Sequence, residues 1–381
     1  MAYKLFTEEH EIFRAAVRKF AEKEILPYVD KWEEEAEFDL ELFRKLGSLG
    51  CLGIQYPPEY GGAGADFLTV AVFAEEISRC GGGGIASSIL VHATMATPPI
   101  YFLGTEEQRK KYLIPAIKGE RIGCLAITEP NAGSDVGNIQ TTAERDGDYY
   151  IINGTKMFIT NGTFADQITL AARTAKGTGY KGISLFIIDK ETPGYSVGKK
   201  LKKMGCHASG TAELIFEDVR VPQENLLGEE GKGFYGVMKN FEEERLVAAL
   251  GNVVRAQMAL DMAIEYAKSR VAFGQPISKF QVISHKIAEM ATEIEAARQL
   301  TYYCLAKFNA GEDCRREIAM SKYYTAELVN RVCYHATQIF GGYGYMREYP
   351  IERFYRDARM STIAGGTTEI MKEIIVRTMG L

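Results

Sequence analysis

The chain has few of the features that mark exported, membrane-spanning or metal-binding proteins. Its first residues lack a basic start followed by an apolar core, and nowhere do about 18 apolar residues follow one another. Its 7 cysteines are scattered, odd in number, and form neither a CxxC pair nor a Cys/His ligand spacing. We therefore expect reduced thiols, a cytoplasmic location, no membrane insertion and no metal site.

An excess of charge of one sign is also missing. The net charge is −5, and no lysine- or arginine-rich stripe with interleaved aromatics stands out. This charge pattern gives no reason to expect nucleic acid as a partner. The 381 residues, 46% of them hydrophobic and 25% charged, are enough for two or three domains with a large core.

The pattern of apolar residues divides the chain into three parts. Helical spacing dominates residues 1–120, where Thr7 is a plausible N-cap of the first helix. The glycine runs of this part follow no strand, so we interpret them as loops rather than phosphate cradles. A two-residue period dominates 121–231, and helical spacing returns over 232–381, with long helices predicted at 232–268, 280–309 and 312–340.

The predicted fold is therefore multidomain, with an N-terminal all-α domain, a central antiparallel β-domain or barrel, and a C-terminal helical bundle. Within the central part, "DYYIINGTKMFITNG" holds two β-rich runs around Asn153-Gly154. Asn-Gly between two such runs is a strong hairpin signal, so we expect a turn there.

Three separated motifs carry a family resemblance. They are "AITEPNAGSD" (126–135), "RVAFGQP" (270–276) and "QIFGGYGYMREYPIERFYRDAR" (338–359). Together, in this order, they resemble the acyl-CoA dehydrogenase family over about residues 5 to 378. The resemblance implies a C-terminal four-helix bundle and assembly as a homotetramer around FAD. It also implies removal of two hydrogens from an acyl-CoA thioester, with electrons passing to electron-transferring flavoprotein.

The resemblance also implies which residues bind FAD. They are Leu125, Ile127, Thr128, Ser134, Phe158, Thr160, Arg270, Phe273, Gln281, Gln338, Gly341, Gly342, Thr367 and Glu369. Phe158, where many relatives have tryptophan, would lie against the flavin ring, and Arg270 would pair with the pyrophosphate of a neighbouring subunit's FAD. Ser134 would also contact the substrate, as would Arg245.

Two positions depart from the family pattern. Asn138 stands where a small residue is usual, and His207 stands where relatives commonly carry arginine. A lone histidine is more often structural than catalytic, so His207 is assigned no role.

The usual catalytic glutamate is missing from the tail "STIAGGTTEI" (361–370), where Gly365 takes its place. A second group in the family, resembling the long-chain and isovaleryl enzymes, places its glutamate on the first C-terminal helix before an arginine. The match here is Glu244 followed by Arg245. Glu369 is the rival candidate, but by resemblance that position binds FAD.

Helix geometry supports Glu244 independently. At about 100° per residue, Glu244 falls about 20° from Val237, whereas Glu242 and Glu243 point away from that face. The same apolar stripe contains Phe234, Phe241 and Ala248. An inward carboxylate is desolvated, which raises its pKa and makes it a stronger base toward a thioester α-proton.

Gly365 itself is given a catalytic role. Its backbone N–H, together with a flavin ribityl hydroxyl, would donate to the thioester carbonyl and stabilise the enolate. The missing side chain would leave room for Glu244. Two other hypotheses stay open: a flavoenzyme of the same fold with oxidase, desulfinase or monooxygenase chemistry, and a non-catalytic acyl-CoA-binding subunit.

Overall fold

The computed structural model describes residues 5–381 except 176 and 178. Helices fill its N-terminal part: α1 (Glu8–Glu24), α2 (Val29–Glu35), α3 (Glu41–Ser48), α4 (Phe67–Ser78), α5 (Gly83–Val91), α6 (Pro98–Leu103), α7 (Glu106–Gln108) and α8 (Ile114–Ile117). Two π-helical segments, His92–Ala96 and Arg109–Leu113, continue α5 toward α6 and α7 toward α8.

The predicted N-cap of α1 is confirmed. The Thr7 hydroxyl accepts a hydrogen bond from the His10 backbone N–H, and the His10 ring accepts one from the Thr7 N–H. The other ring nitrogen of His10 lies 3.1 Å from Asp66, which caps α4. These contacts join the starts of two helices, and α4 is buried along almost its whole length as the centre of this helical part.

One sheet occupies the middle of the chain. Its strands are β1 (Gly123–Ala126), β2 (Thr142–Asp146), β3 (Tyr149–Ile159), β4 (Gln167–Arg173), β5 (Ile183–Asp189), β6 (Tyr195–Lys200), β7 (Ala212–Pro222) and β8 (Leu226–Leu227). Neighbours run in the order β6-β7-β3-β2-β4-β5-β8, and β1 adds to β4. Most pairs are antiparallel, as predicted, but β1 and β2 each run parallel to β4.

The hairpin predicted at Asn153-Gly154 is wrong, because β3 runs straight through it. Gly154 has φ +151°, and the pairing of β3 with β7 shifts by one residue between Ile152 and Gly154. This is a β-bulge whose extra residue lies on β7, opposite Asn153. Glycine is favoured at position 154 because the Thr141 backbone approaches it closely. The turn between β2 and β3 lies earlier, at Gly147-Asp148, so another Gly-containing pair was the true signal.

The C-terminal part returns to helices, as predicted. They are α9 (Gly233–Ser269), α10 (Gln281–Asn309), α11 (Arg315–Phe340), α12 (Ile351–Ala358) and α13 (Thr368–Thr378); a two-stranded ribbon, β9 (Val271–Ala272) with β10 (Gln275–Pro276), follows α9. The three long predicted helices match α9, α10 and α11 to within a few residues. Buried alanines at helical spacing on α9, Ala256, Ala259 and Ala263, belong to the core shared by these helices.

Helix α9 connects the parts of the protein. It packs against α10 and α11 on one side and against α4, α6 and β5 on others. Among the described residues, α9 is also the one helix long and apolar enough to cross a membrane. Because 61% of its most apolar window is buried inside the protein, its composition is that of a core helix.

Replacing Gly154 with alanine should destabilise the sheet. The new Cβ would lie 2.7 Å from the Thr141 Cα, a contact that backbone must move to relieve, with an expected cost of about 1–3 kcal/mol. Gly147→Ala is the matched control, because Gly147 also has a positive φ, +61°, but open space around it. Thermal unfolding followed by circular dichroism should show the larger loss for Gly154→Ala. Equal losses would contradict the interpretation that close contact with Thr141 requires glycine at position 154.

Candidate active site

The Glu244 carboxylate lies directly beside Gly365. Glu244 projects from α9, and Gly365 lies in the loop between the 3₁₀ turn Arg359–Thr362 and α13. A Cβ built on Gly365 would lie 2.9 Å from Glu244 Oε1. Gly365 also has φ +68°, a backbone conformation that side chains disfavour. The chain therefore brings together the two residues that the sequence predicted as catalytic.

The Glu244 carboxylate and the Gly365 backbone N–H have unused hydrogen-bonding capacity. Glu244 Oε2 is buried and accepts no hydrogen bond from the part of the chain that the structure describes. The Gly365 N–H likewise donates to none of the described residues. The Glu244 side chain as a whole and Gly365 are half-buried. A buried polar atom without a partner, such as Glu244 Oε2, is costly and fits a site that a ligand completes. An acceptor of protons and a donor of a hydrogen bond thus lie next to each other.

Burial controls the charge of this carboxylate. Loss of solvent raises the pKa of Glu244 to about 7, while the positive charges of Arg245 and Lys322 act in the opposite direction. Burial lowers the pKa of Lys322 to about 8, with the Glu244 charge opposing that change. A carboxyl group with a pKa near neutrality is a stronger base than an exposed one and is still largely ionised above pH 7.

Arg245 and Lys322 also hold the loop that carries Gly365. Arg245 Nε donates to the Gly365 carbonyl at 3.4 Å. Lys322 Nζ donates to the Ser361 carbonyl at 3.0 Å and to the Gly366 carbonyl. Sequence reasoning missed Lys322, although it continues the buried stripe of Ile318, Thr325 and Val329 on α11. A lysine on an apolar helix face was the available signal.

The expectation that Glu242 and Glu243 both point away from the core is wrong for Glu243. Glu243 is only 9% exposed, whereas Glu242 is half-buried. Glu243 lines a small cavity of about 30 Å³ between α6 and α9. The expectation assumed a single buried stripe, but α9 is covered on several sides and buries more than one face.

The segment predicted to contact the flavin ring forms one unit. Met157 N–H donates to the Thr128 carbonyl at 2.8 Å, which fixes the residues after β1 beside β3. Buried Lys156 strengthens this junction by donating to the Ile127 carbonyl at 2.9 Å and to Glu129 at 2.7 Å. Phe158, which follows Met157, has φ +62° and is 66% exposed.

The other residues predicted to bind FAD differ in how exposed they are to solvent. Leu125, Ile127 and Thr160 are buried or half-buried around the same junction, and Ser134 is exposed. The residues predicted for the adenosine end and the neighbouring subunit lie on the surface of the single chain: Arg270, Phe273, Gln281, Gln338, Gly341 and Gly342. Phe273, 96% exposed with φ +51°, stands at the tip of the β9–β10 ribbon.

Thr367 and Glu369 lie at the start of α13. The Thr367 hydroxyl caps this helix by accepting the Ile370 N–H. Glu369 is exposed, and hydrogen bonds from the backbone and Thr367 lower its pKa. An exposed carboxylate with a lowered pKa is a weak base, so Glu244 is the better candidate. His207, which was assigned no role, lies 3.2 Å from Arg356 and contacts the Met204 carbonyl.

Comparison with known proteins identifies the class. Models of the N-terminal, middle and C-terminal domains of acyl-CoA dehydrogenases match residues 7–120, 124–219 and 231–380. An acyl-CoA dehydrogenase of Bacillus subtilis is 44% identical over 369 residues, 97% of either chain. A caffeyl-CoA reductase–Etf complex subunit of Acetobacterium woodii is 42% identical and covers 97% of this chain and 98% of its own.

Solved structures agree. Acyl-CoA dehydrogenase from Geobacillus kaustophilus superposes with a TM-score of 0.96 at 44% identity over 100% of both chains. Butyryl-CoA dehydrogenase from Megasphaera elsdenii gives 0.95 at 40% identity over 99% of both. The chain therefore belongs to the acyl-CoA dehydrogenase family, which confirms the resemblance and the predicted fold class. It is an FAD-dependent oxidoreductase that acts on acyl-CoA.

The residues present fit this cofactor. Phe158 offers an uncovered aromatic face from a rigid strand end, although its backbone conformation is one that non-glycine residues rarely adopt. Such strain persists where the surrounding structure fixes it, and it is common at ligand sites. The Phe273 side chain is exposed, and no other atoms lie near the Cβ positions of Gly341 and Gly342. This surface therefore has room for a second part of the cofactor. The roles of individual residues toward FAD stay predictions.

Adding a methyl group at Gly365 should disable the site while leaving the fold intact. In Gly365→Ala the new Cβ would displace the Glu244 carboxylate, and a displacement of about 1 Å can cost on the order of 10²-fold in rate. Gly311→Ala is the control, since Gly311 has φ +73° but no neighbouring atoms. Stopped-flow flavin reduction measures the effect. Wild-type rates in Gly365→Ala would show that the carboxylate does not need this space.

Proposed function

We propose that the protein is an acyl-CoA dehydrogenase that converts a saturated acyl-CoA thioester to the trans-2-enoyl-CoA, with Glu244 as the base. The observation that carries the proposal is the Glu244 carboxylate, which has a buried Oε2 without a partner and lies against the backbone of Gly365. A base and a hydrogen-bond donor at one place are what removal of a proton next to a thioester carbonyl requires. No other carboxylate of the predicted site combines burial with a raised pKa.

The proposed chemistry begins at the substrate Cα. Glu244 takes the proton there, and its buried position keeps the carboxylate poorly solvated and therefore basic. The Gly365 N–H donates to the thioester carbonyl, where negative charge develops as the proton leaves. Removing one such donor costs on the order of 3–4 kcal/mol in other enzymes. FAD, when bound, supplies the acceptor for the hydride that leaves Cβ.

Lys322 and Arg245 contribute by holding the Gly365 loop, as described above. Their hydrogen bonds go to the Gly365 and Gly366 carbonyls of this loop and to the Ser361 carbonyl of the preceding 3₁₀ turn, so we expect them to hold the Gly365 backbone beside Glu244. Arg245 was predicted to bind substrate. Its contact with the Gly365 carbonyl supports a role at the edge of the site, and direct contact with substrate stays a prediction.

We further infer that electrons pass to electron-transferring flavoprotein. The Acetobacterium woodii relative, 42% identical, is named as a subunit of an Etf complex, which supports this partner. The homotetramer, the cytoplasmic location and the domain boundaries 1–120, 121–231 and 232–381 stay predictions. Uncovered Phe273 supports assembly, because an aromatic ring that is 96% exposed is typical of a surface covered by another chain.

Glu244→Gln should abolish proton removal without releasing FAD. We expect flavin reduction by acyl-CoA to slow by about 10²–10⁴-fold, the usual contribution of a positioned base. Glu242→Gln, two residues before Glu244 on the same helix and also half-buried, is the matched control and should keep the wild-type rate. Anaerobic mixing with saturated acyl-CoAs of several lengths measures the bleaching, and enoyl-CoA is identified by mass spectrometry.

Three outcomes would count against the proposal or its parts. Near-normal bleaching in Glu244→Gln would refute the base assignment. Absence of bleaching of the wild-type protein by every saturated thioester would favour the same fold with different chemistry. Glu369→Gln should mainly weaken FAD retention, so a loss of proton removal with FAD still bound in that variant would move the base to Glu369.

The rate should depend on pH in a definite direction. The pKa of Glu244 is raised to about 7, and only the ionised form accepts a proton, so kcat/KM should fall as pH drops below about 7. An exposed carboxylate would place this acid limb near its ordinary pKa, about 4.3. Measuring kcat/KM from pH 5 to 9 distinguishes the two. A kcat/KM that stays level down to pH 5 would exclude a base with a raised pKa.

A further inference from the structure

Lys322 is a buried cation with two anchors on the Gly365 loop. The side chain is 1% exposed, and Nζ donates to the Ser361 carbonyl at 3.0 Å and to the Gly366 carbonyl. These two carbonyls lie on either side of Gly365 in sequence. A charged donor in a buried setting makes hydrogen bonds roughly twice as strong as neutral ones. Lys322 therefore holds both ends of the short segment that faces Glu244.

A second set of contacts fixes Ser361 itself. Its hydroxyl donates to Asn252 Oδ1 at 2.7 Å, and Asn252 Nδ2 donates to Thr325 Oγ1 at 3.4 Å. Asn252 lies on α9, two turns after Glu244, and Thr325 lies on α11, one turn after Lys322. The loop is thus tied to the same two helices that supply Glu244 and Lys322, so its position relative to both is set by the helix packing.

The charges around Lys322 come from three elements. Glu244 and Arg245 face it from α9, Glu327 from its own helix α11, and Glu369 from α13. Glu244 in turn interacts with Arg245 and Lys322. Arg245 stays protonated at any pH at which the enzyme works. Lys322 supplies the second positive charge that acts on the Glu244 carboxylate, and it does so from α11, whereas Arg245 lies on α9 beside Glu244.

We propose, resting on the function above, that Lys322 is a positioning residue whose ammonium group holds the Gly365 loop and keeps the Glu244 carboxylate ionised for proton removal. Loss of this charge has two separable effects. The loop loses two anchors, which misplaces the Gly365 N–H. The carboxylate also loses a neighbouring cation, which raises the pKa of Glu244 and moves the acid limb of activity to higher pH.

The test compares three variants of the FAD-loaded enzyme. Lys322→Gln removes the charge and keeps a side chain that donates hydrogen bonds, whereas Lys322→Arg keeps the charge with a different shape. Ser321→Ala is the matched control, because Ser321 is buried one position earlier on α11 and bonds to Thr301, on α10, at 2.9 Å. Each variant is assayed for flavin absorbance, thermal unfolding, kcat and KM across pH 5 to 9.

We expect Lys322→Gln to lose on the order of 10²-fold in kcat with a smaller change in KM, since misplaced groups act mainly on the transition state. Its acid limb should lie at higher pH than that of the wild type. Lys322→Arg should keep the acid limb near its wild-type position even where kcat falls. Ser321→Ala should lower the unfolding temperature and leave the pH profile unchanged.

A folded, yellow Lys322→Gln enzyme with an unchanged acid limb and kcat would overturn the proposal. If Lys322→Gln does not fold, Lys322→Arg decides, because an acid limb moved to higher pH despite the retained charge would also overturn it. Glu244→Gln is measured in parallel. Near-normal activity there would overturn the proposed function, whereas an inactive Glu244→Gln with an unaltered Lys322→Gln would overturn only the role of Lys322.

Discussion

The carboxylate of Glu244, with its Oε2 buried, lies in a space that exists because Gly365 has no side chain. A Cβ at position 365 would lie 2.9 Å from Glu244 Oε1, so the glycine and the glutamate fit each other and a larger residue would not. Burial raises the pKa of the carboxyl group to about 7, and two cations limit the cost of ionising it. Reactivity and steric fit therefore depend on the same contact between α9 and the C-terminal loop.

The fold positions this contact through α9. The helix runs for 37 residues and packs against the N-terminal helices, the sheet and the C-terminal helices. Because so many elements cover it, α9 holds Glu244 at a fixed depth and buries Glu243 on another face. The sheet contributes separately, since Lys156 and the Thr128 carbonyl lock the strand end that presents Phe158. The proposed base thus stands on α9 and the proposed flavin face on the end of β3.

Much of the fold was predictable because the spacing of apolar residues along the sequence indicates which faces of helices and strands are buried. The long helices, the central sheet and the Thr7 cap followed from spacing and local hydrogen-bonding chemistry. The Asn153-Gly154 turn was predicted wrongly because a hairpin turn and a close approach of two backbones favour the same glycine, and only the contact with Thr141 and the pairing with β7 distinguish them. Within the site, helix geometry indicated Glu244. The apolar face of α11 offered a signal for Lys322, but its contacts with the Gly365 loop and the burial of Glu243 depend on how distant helices meet.

A crystal structure of the FAD-loaded enzyme with a non-reactive acyl-CoA analogue tests the central claim most directly. The measured quantity is the distance from the Glu244 carboxylate oxygens to the Cα of the thioester. The account predicts about 3–3.5 Å, with the Gly365 N–H within hydrogen-bonding distance of the thioester oxygen. A Glu244 side chain turned away from Cα, or another carboxylate in its place, would contradict it.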